Sequence, residues 1–89
     1  MKTIWKYPLE SGTTVLQMPL RAEILAVQAP AQVICIWVLV DTSEPMQTRA
    51  FRTARTGEPL PEFPRQSYYI GTVQDSNGRA THVVEIDPP

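Results

Sequence analysis

The chain has one histidine, His82, and one cysteine, Cys35, and these are the residues whose chemistry is easiest to recognise. Catalysis by His82 would need a nucleophile or a carboxylate beside it, and the sequence supplies only non-specific candidates: Ser67, Ser76 and Asp75. Cys35 lies between two isoleucines, whereas a reactive thiol needs an exposed, electropositive setting. We therefore predict no catalytic residue and expect a protein that is not an enzyme.

Metal and cofactor motifs are also missing from the sequence. One histidine and one cysteine, separated by about half the chain, do not have metal-ligand spacing. The four glycines are isolated from one another, and none lies between a predicted strand and a helix, as a phosphate-binding loop requires. We expect no metal and no cofactor. The unpaired cysteine and the absence of a secretory signal predict a cytoplasmic protein.

Three arginines and no acidic residue lie between Gln47 and Gly57, which makes this segment the best candidate for binding. Arginines beside aromatic rings can hold an anionic ligand through cation–π contacts and two-point hydrogen bonds. The opposite interpretation is an edge strand whose charges prevent pairing with another sheet. Trp5, an aromatic residue near a chain end, can also serve as an interface anchor, although a core position is the leading interpretation for it. The predicted binding residues are Arg49, Arg52, Arg55, Tyr68 and Trp5.

The composition limits the size of the protein and the classes of partner. A chain of 89 residues that is 43% hydrophobic and 19% charged predicts one folded domain over residues 1–89. The net charge of −1 argues against nucleic-acid binding, which draws on a surplus of Lys and Arg. Nine prolines predict many loops and strand edges and few helices.

The longest apolar run begins at Val33 and ends at Val40, and its eight residues are too few for a membrane helix. Its β-branched and aromatic side chains predict a strand that is buried on both faces and is central to its sheet. Something must then cover the second face of the strand. The alternatives are strong curling of the sheet, the proline-rich segment 58–65, or a second copy of the protein, so a homo-oligomer through this sheet is predicted.

The other strands are predicted from two-residue alternation between Gly and Pro signals. We expect the first two strands to form a hairpin, and the third and fourth to pair likewise. The arginine segment has one apolar anchor, Phe51, and it fits a strand better than a helix with so thin an apolar stripe. Six or seven short strands without a long helix predict an all-β fold, either a small antiparallel β-sandwich or a partly closed barrel. The predicted strands cover residues 3–7, 13–18, 22–28, 33–40, 47–56, 67–74 and 80–87.

Several segments resemble a family of short uncharacterised proteins that are encoded mainly by bacteriophages and prophages. They read MKTIWKYPL at 1–9, MP at 18–19, AEILAVQ at 22–28, WVLVD at 37–41, TGEPLP at 56–61 and YIGTV at 69–73, followed by the strand around His82. Relatives often have Thr-Gly-His-Pro where this chain has Glu58 in place of the histidine, so a function served by that histidine would not extend to this chain.

The resemblance implies a phage origin, and small acidic phage proteins without catalytic motifs are often accessory factors that bind a host component, including inhibitors of bacterial immunity. The expected function is a non-enzymatic accessory protein that binds a host protein in the host cytoplasm, and inhibition of bacterial antiviral defence is one form that this function can take. The alternative is a small-molecule binder that sequesters an anionic nucleotide between arginines and tyrosines.

Overall fold

The computed structural model of the chain describes residues 1–60 and 68–88. It confirms the all-β prediction and, of the two predicted architectures, adopts the sandwich: two antiparallel sheets enclose one core. A short 3₁₀ turn lies at Pro30–Gln32, and within the described residues no helix is long and apolar enough to cross a membrane. The strands are β1 (Lys2–Pro8), β2 (Thr13–Pro19), β3 (Glu23–Gln28), β4 (Cys35–Asp41), β5 (Met46–Arg55), β6 (Tyr69–Gln74) and β7 (Ala80–Ile86).

The strands are ordered β1–β4–β3 in the smaller sheet and β2–β5–β7–β6 in the larger one. The predicted pairing of the third and fourth strands is confirmed. The predicted hairpin of the first two strands is wrong, because β1 pairs with β4 and β2 pairs with β5 in the other sheet. Leu9 explains the difference: its side chain is buried in the core and its N–H donates to the carbonyl of Ile34 at 2.8 Å. The chain therefore crosses between the sheets here.

The long apolar run forms β4, the central strand of the smaller sheet, but the strand begins at Cys35 because the run's first two residues follow the 3₁₀ turn. One face of β4 belongs to the core, as predicted. The prediction that both faces are buried is wrong for Trp37 and Leu39, which are half-buried on the outer face. Lys6 lies over the Trp37 ring at 5.6 Å, and the Trp37 Nε1–H donates to Gln28 at 2.9 Å. Long polar side chains from the flanking strands thus cover part of the outer face.

The arginine segment is a strand, β5, as predicted, and its apolar anchor Phe51 is fully buried. The interpretation of this segment as an edge strand is wrong, since β5 lies between β2 and β7. A central strand can carry these charges because Arg49 forms an ion pair with Glu85 of β7 and because the small residues Ala50 and Ala54 are buried beside them.

β6 and β7 form a hairpin around the turn at Asp75, as the turn signal predicts. β6 begins at Tyr69; Ser67 and residues 61–65 of the proline-rich segment lie outside the described residues. Both sheets contribute to the core, which therefore joins the two layers. Its buried side chains are Leu9, Met18, Ala22, Ile36, Val38, Val40, Phe51 and Val83.

Candidate binding cleft

A cleft of about 490 Å³ opens at one end of the sandwich, and we call it the end cleft. It lies among the β1–β2 connection, the segment 29–34, the last residues of β5 and the β6–β7 turn. Its volume falls in the range of ligand sites, but its lining is more polar than that of a typical ligand pocket. The apolar part includes Leu9, Val33, Ile34 and Val73, and the polar part Glu10, Thr53, Arg55, Glu58, Asp75 and Thr81.

The β1–β2 connection forms the first wall of the end cleft and is fixed to β5. Gly12 has a φ of 90°, which a residue with a side chain rarely adopts. Its N–H donates to the Thr53 hydroxyl at 3.0 Å, and the Thr53 N–H donates back to the Gly12 carbonyl at 2.9 Å. The Glu10 N–H donates to the hydroxyl of Thr14 at 2.8 Å. These bonds hold Glu10 at the cleft.

The segment 29–34 forms the second wall and has an unusual backbone. Ala31 and Gln32 both have positive φ, of 50° and 69°, although neither is a glycine. Left-handed conformations cost such residues about 1–2 kcal/mol each, and they persist only where the surrounding structure holds them. Val33 follows and is 52% exposed. An apolar side chain is therefore held at the cleft instead of joining the core.

The end cleft has more negative than positive charge. The Glu58 carboxylate accepts a hydrogen bond from the N–H of Arg55 at 2.6 Å. Asp75 accepts hydrogen bonds from the backbone N–H groups of Arg79 and Asn77, both at 2.9 Å. These bonds, the Arg79 bond foremost, lower the pKa of Asp75, and the positive charges of Arg79 and Arg55 add to the effect. With Glu10, three carboxylates and one guanidinium line the cleft, and Arg79, 3.6 Å from Asp75, offsets one of these carboxylates, which leaves a small surplus of negative charge.

The five predicted binding residues do not meet in one place. Arg55 lines the end cleft. Arg49 lies on the inner face of β5, engaged by Glu85 and by the carbonyl of Ala22. Arg52 lies on the opposite face, where its Nη1 is 3.5 Å from the Thr13 hydroxyl. Its Nε is buried and has no hydrogen-bond partner within the described ranges.

The two predicted aromatic residues also lie apart from the end cleft. Trp5 is half-buried on the inner face of β1 and packs against the core. Its ring meets Tyr7 edge to face, with the centroids 6.4 Å apart. Tyr68 is half-buried immediately before β6. Of the five residues, Arg55 is thus the one that the structure places at the cleft.

A family model described as a domain of unknown function, DUF7352, matches residues 1–89, the whole sequence. The chain belongs to the DUF7352 family. This finding agrees with the predicted resemblance to a family of uncharacterised proteins. No curated protein and no solved structure matches the chain.

The DUF7352 fold also gathers three hydroxyl groups around His82, which sequence reasoning did not find. The Thr56 hydroxyl is 2.8 Å from Nε2, and the Thr72 hydroxyl is 2.8 Å from Nδ1. The Tyr69 hydroxyl is 3.4 Å from Nδ1 and is hydrogen-bonded to Thr72. Of the nucleophile and acid candidates predicted for His82, Ser67 lies outside the described residues, and neither Ser76 nor Asp75 is among these hydrogen-bond partners. Within residues 1–60 and 68–88, no group of three His, Cys, Asp or Glu side chains is placed to hold a metal.

Sequence reasoning also missed most of the end cleft of this DUF7352 protein. The turns at Glu10 and Asp75 and the Gly57 turn were each recognisable from their residue types. Their meeting at one end of the sandwich follows from strand order, and the expected hairpin of the first two strands gave a different order. The pairing of β2 with β5 brings these turns together, so a correct prediction of that pairing would have revealed the cleft.

Proposed function

We propose that this DUF7352 protein is a non-enzymatic accessory protein of a bacteriophage that binds a host protein at the end cleft. We further propose that the host protein belongs to antiviral defence. The phage origin rests on the resemblance of the opening segment and the later motifs. The binding role rests on the end cleft.

The single observation that supports binding is the combination of an exposed apolar side chain and charged groups at one cleft. Val33 is 52% exposed, on a segment with two left-handed residues, and lines the same cleft as Glu10 and Arg55. Protein interfaces have this composition, with an apolar centre and a polar rim. The surplus of carboxylates favours a partner segment that presents Lys or Arg.

The second candidate function is binding of a small molecule, because a volume of about 490 Å³ suits one. An anionic nucleotide is the form of this function that the sequence predicts. The charges argue against an anionic nucleotide. Arg49 and Arg52 lie outside the end cleft, and carboxylates outnumber Arg55 within it. A small ligand of this cleft would be cationic.

Capture of partners from a lysate of host bacteria tests the proposal. The variant Glu10→Lys/Val33→Lys reverses the charge and removes the exposed apolar side chain of the end cleft. Its control, Val15→Lys/Asp87→Lys, makes the same change of charge at exposed positions outside the cleft. We expect one host protein to be captured by the wild type and the control and lost by the cleft variant. Infection assays with that host gene deleted then test the defence role.

Equal capture by the cleft variant and its control would reject the end cleft as the binding site. Thermal unfolding with a panel of nucleotides tests the second candidate. A ligand at about a hundred times its dissociation constant stabilises a protein by about 2.7 kcal/mol. We expect no shift with nucleotides. If a nucleotide raised the unfolding temperature of the wild type and the variant Arg55→Ala abolished that rise, the proposal of host-protein binding would be rejected in favour of nucleotide binding.

A further inference from the structure

The outer face of the smaller sheet, which we call the outer face, exposes a strip of apolar side chains. Ile4 of β1 is 55% exposed and lies opposite Leu39 of β4. Leu39 and its neighbour on the same face, Trp37, are half-buried. This is the second side of the long apolar run in the sequence. Ile4, Trp37 and Leu39 do not belong to the core between the sheets, whereas Cys35, at the end of the same face of β4, is fully buried.

Apart from Asp41, which lies on β4 opposite Lys2, the charges on the outer face are separated by strand. Lys2 and Lys6 lie on β1, and Glu23 lies on β3, with β4 between them. Glu23 is opposite Leu39, which is opposite Ile4, so these three side chains form one row across the sheet. Along the strand direction, Glu23 is therefore level with Ile4, midway between Lys2 and Lys6.

We propose that the outer face binds a second copy of this chain, with a two-fold axis parallel to β4. Such an axis places β1 of each copy over β3 of the other. Leu39 then meets Leu39 of the second copy at the axis, and each Glu23 lies between the opposing Lys2 and Lys6. Both charge interactions occur twice, and the apolar strip is covered. The outer face and the end cleft share no residue, so this inference is independent of the proposed function.

Asp41 also lies near the axis, and its charge is offset by the N-terminal amine at 3.4 Å. The face is small: three strands of six to seven residues, spaced about 4.8 Å apart, give a plan area of roughly 330 Å² per copy. Standard interfaces bury about 800 Å² per partner. The dimer is therefore expected to dissociate reversibly on dilution.

Sedimentation equilibrium across a concentration series tests the dimer and its orientation. The full chain should show a monomer–dimer equilibrium. Glu23→Lys alone and Lys2→Glu/Lys6→Glu alone each place like charges in contact, so each should raise the dissociation constant about tenfold or more. An equimolar mixture of these two variants restores both charge interactions, so it should form a heterodimer at least as well as the wild type dimerises. The three positions are exposed, and circular dichroism checks that the variants fold.

Leu39→Asp tests the apolar contact at the axis and should also abolish association. The control is Val15→Asp, which places a charge on the outer side of the larger sheet, where the side chain is 47% exposed, and should leave the dimer intact. A wild type that stays monomeric up to millimolar concentration would overturn the proposal. A dimer that the charge variants do not weaken, or a mixture that does not associate, would overturn it as well.

Discussion

The guanidinium of Arg49 and the carboxylate of Glu85 form a two-point ion pair, with Nε to Oε2 at 2.7 Å and Nη2 to Oε1 at 2.8 Å. The third nitrogen, Nη1, donates to the carbonyl of Ala22 at 2.7 Å, just before β3 of the other sheet. The two side chains are only 16% and 18% exposed. The pair therefore connects β5 to β7 and the larger sheet to the smaller one.

Arg49→Met is expected to lower the free energy of unfolding by about 2–3 kcal/mol, because it leaves the shielded carboxylate of Glu85 without its partner. Urea unfolding at neutral pH measures the change. The control is Arg21→Met, whose ion pair with Glu44 is 74% exposed on the arginine side and should contribute less than about 1 kcal/mol. If the two variants lost the same free energy of unfolding, the Arg49 pair would stabilise the protein no more than an exposed ion pair does.

Gly71 of β6 has a different kind of constraint, since a Cβ there would lie 2.8 Å from Cγ1 of Val27 on β3. The close approach of the two sheets, not the backbone conformation, requires glycine. Gly71→Ala should therefore lower the free energy of unfolding by about 1–3 kcal/mol through overpacking. In the double variant Gly71→Ala/Val27→Ala the loss should be smaller than the sum of the two single losses, as denaturant unfolding would show. Additive losses would mean that the two residues do not compete for space.

The fold class and most strand positions could be predicted because two-residue alternation and turn residues are local signals. β4 is the clearest case: eight apolar residues indicate a strand at the centre of a sheet, and the structure confirms this. Pairing is not local. Thr13 lies opposite Arg52 because buried Leu9 directs the chain into the other sheet, and no local residue pattern distinguishes that crossing from a hairpin.

The same limit applies to the candidate site. Arg49, Arg52 and Arg55 are grouped in sequence, but alternation along a strand sends Arg52 to the opposite face, and Arg49 is six residues, roughly 20 Å, from Arg55. The end cleft instead collects residues from four separate connections. Its members, Glu10 and Asp75 among them, become neighbours only when the strand order is known.

The left-handed backbone of the segment 29–34 predicts an uncommon response to glycine. Ala31 has a φ of 50°, which costs an alanine about 1–2 kcal/mol, so Ala31→Gly removes this cost. Glycine gains about 0.4–1 kcal/mol of entropy in the unfolded chain, which leaves a net stabilisation of about 0.5 kcal/mol. The control is Ala29→Gly, at a φ of −130°, which should destabilise instead. Guanidinium unfolding should thus show that Ala31→Gly raises the free energy of unfolding and Ala29→Gly lowers it. Changes of the same sign would contradict strain at Ala31.

Asp41 gives the chain a specific dependence on acid. Its Oδ1 accepts hydrogen bonds from the Ser43 hydroxyl at 2.6 Å and from the Ser43 N–H at 3.0 Å, and lies 3.4 Å from the N-terminal amine. These contacts, the hydroxyl bond foremost, lower the pKa of Asp41 to about 2. The native state therefore favours the charged carboxylate more than the unfolded state does.

Because the pKa is lower in the folded state, the stabilisation is complete above the pKa of an unfolded aspartate, about 3.9, and is lost as the pH falls toward 2. The wild type should therefore be more stable than Asp41→Asn at pH 5, and the difference should shrink between about pH 4 and pH 2. Urea unfolding of both proteins across this range measures the difference. Ser43→Ala should reduce it, and Asp87→Asn, at an exposed position after β7, is the control. A difference that is constant with pH would show that the Ser43 contacts do not favour the charged carboxylate.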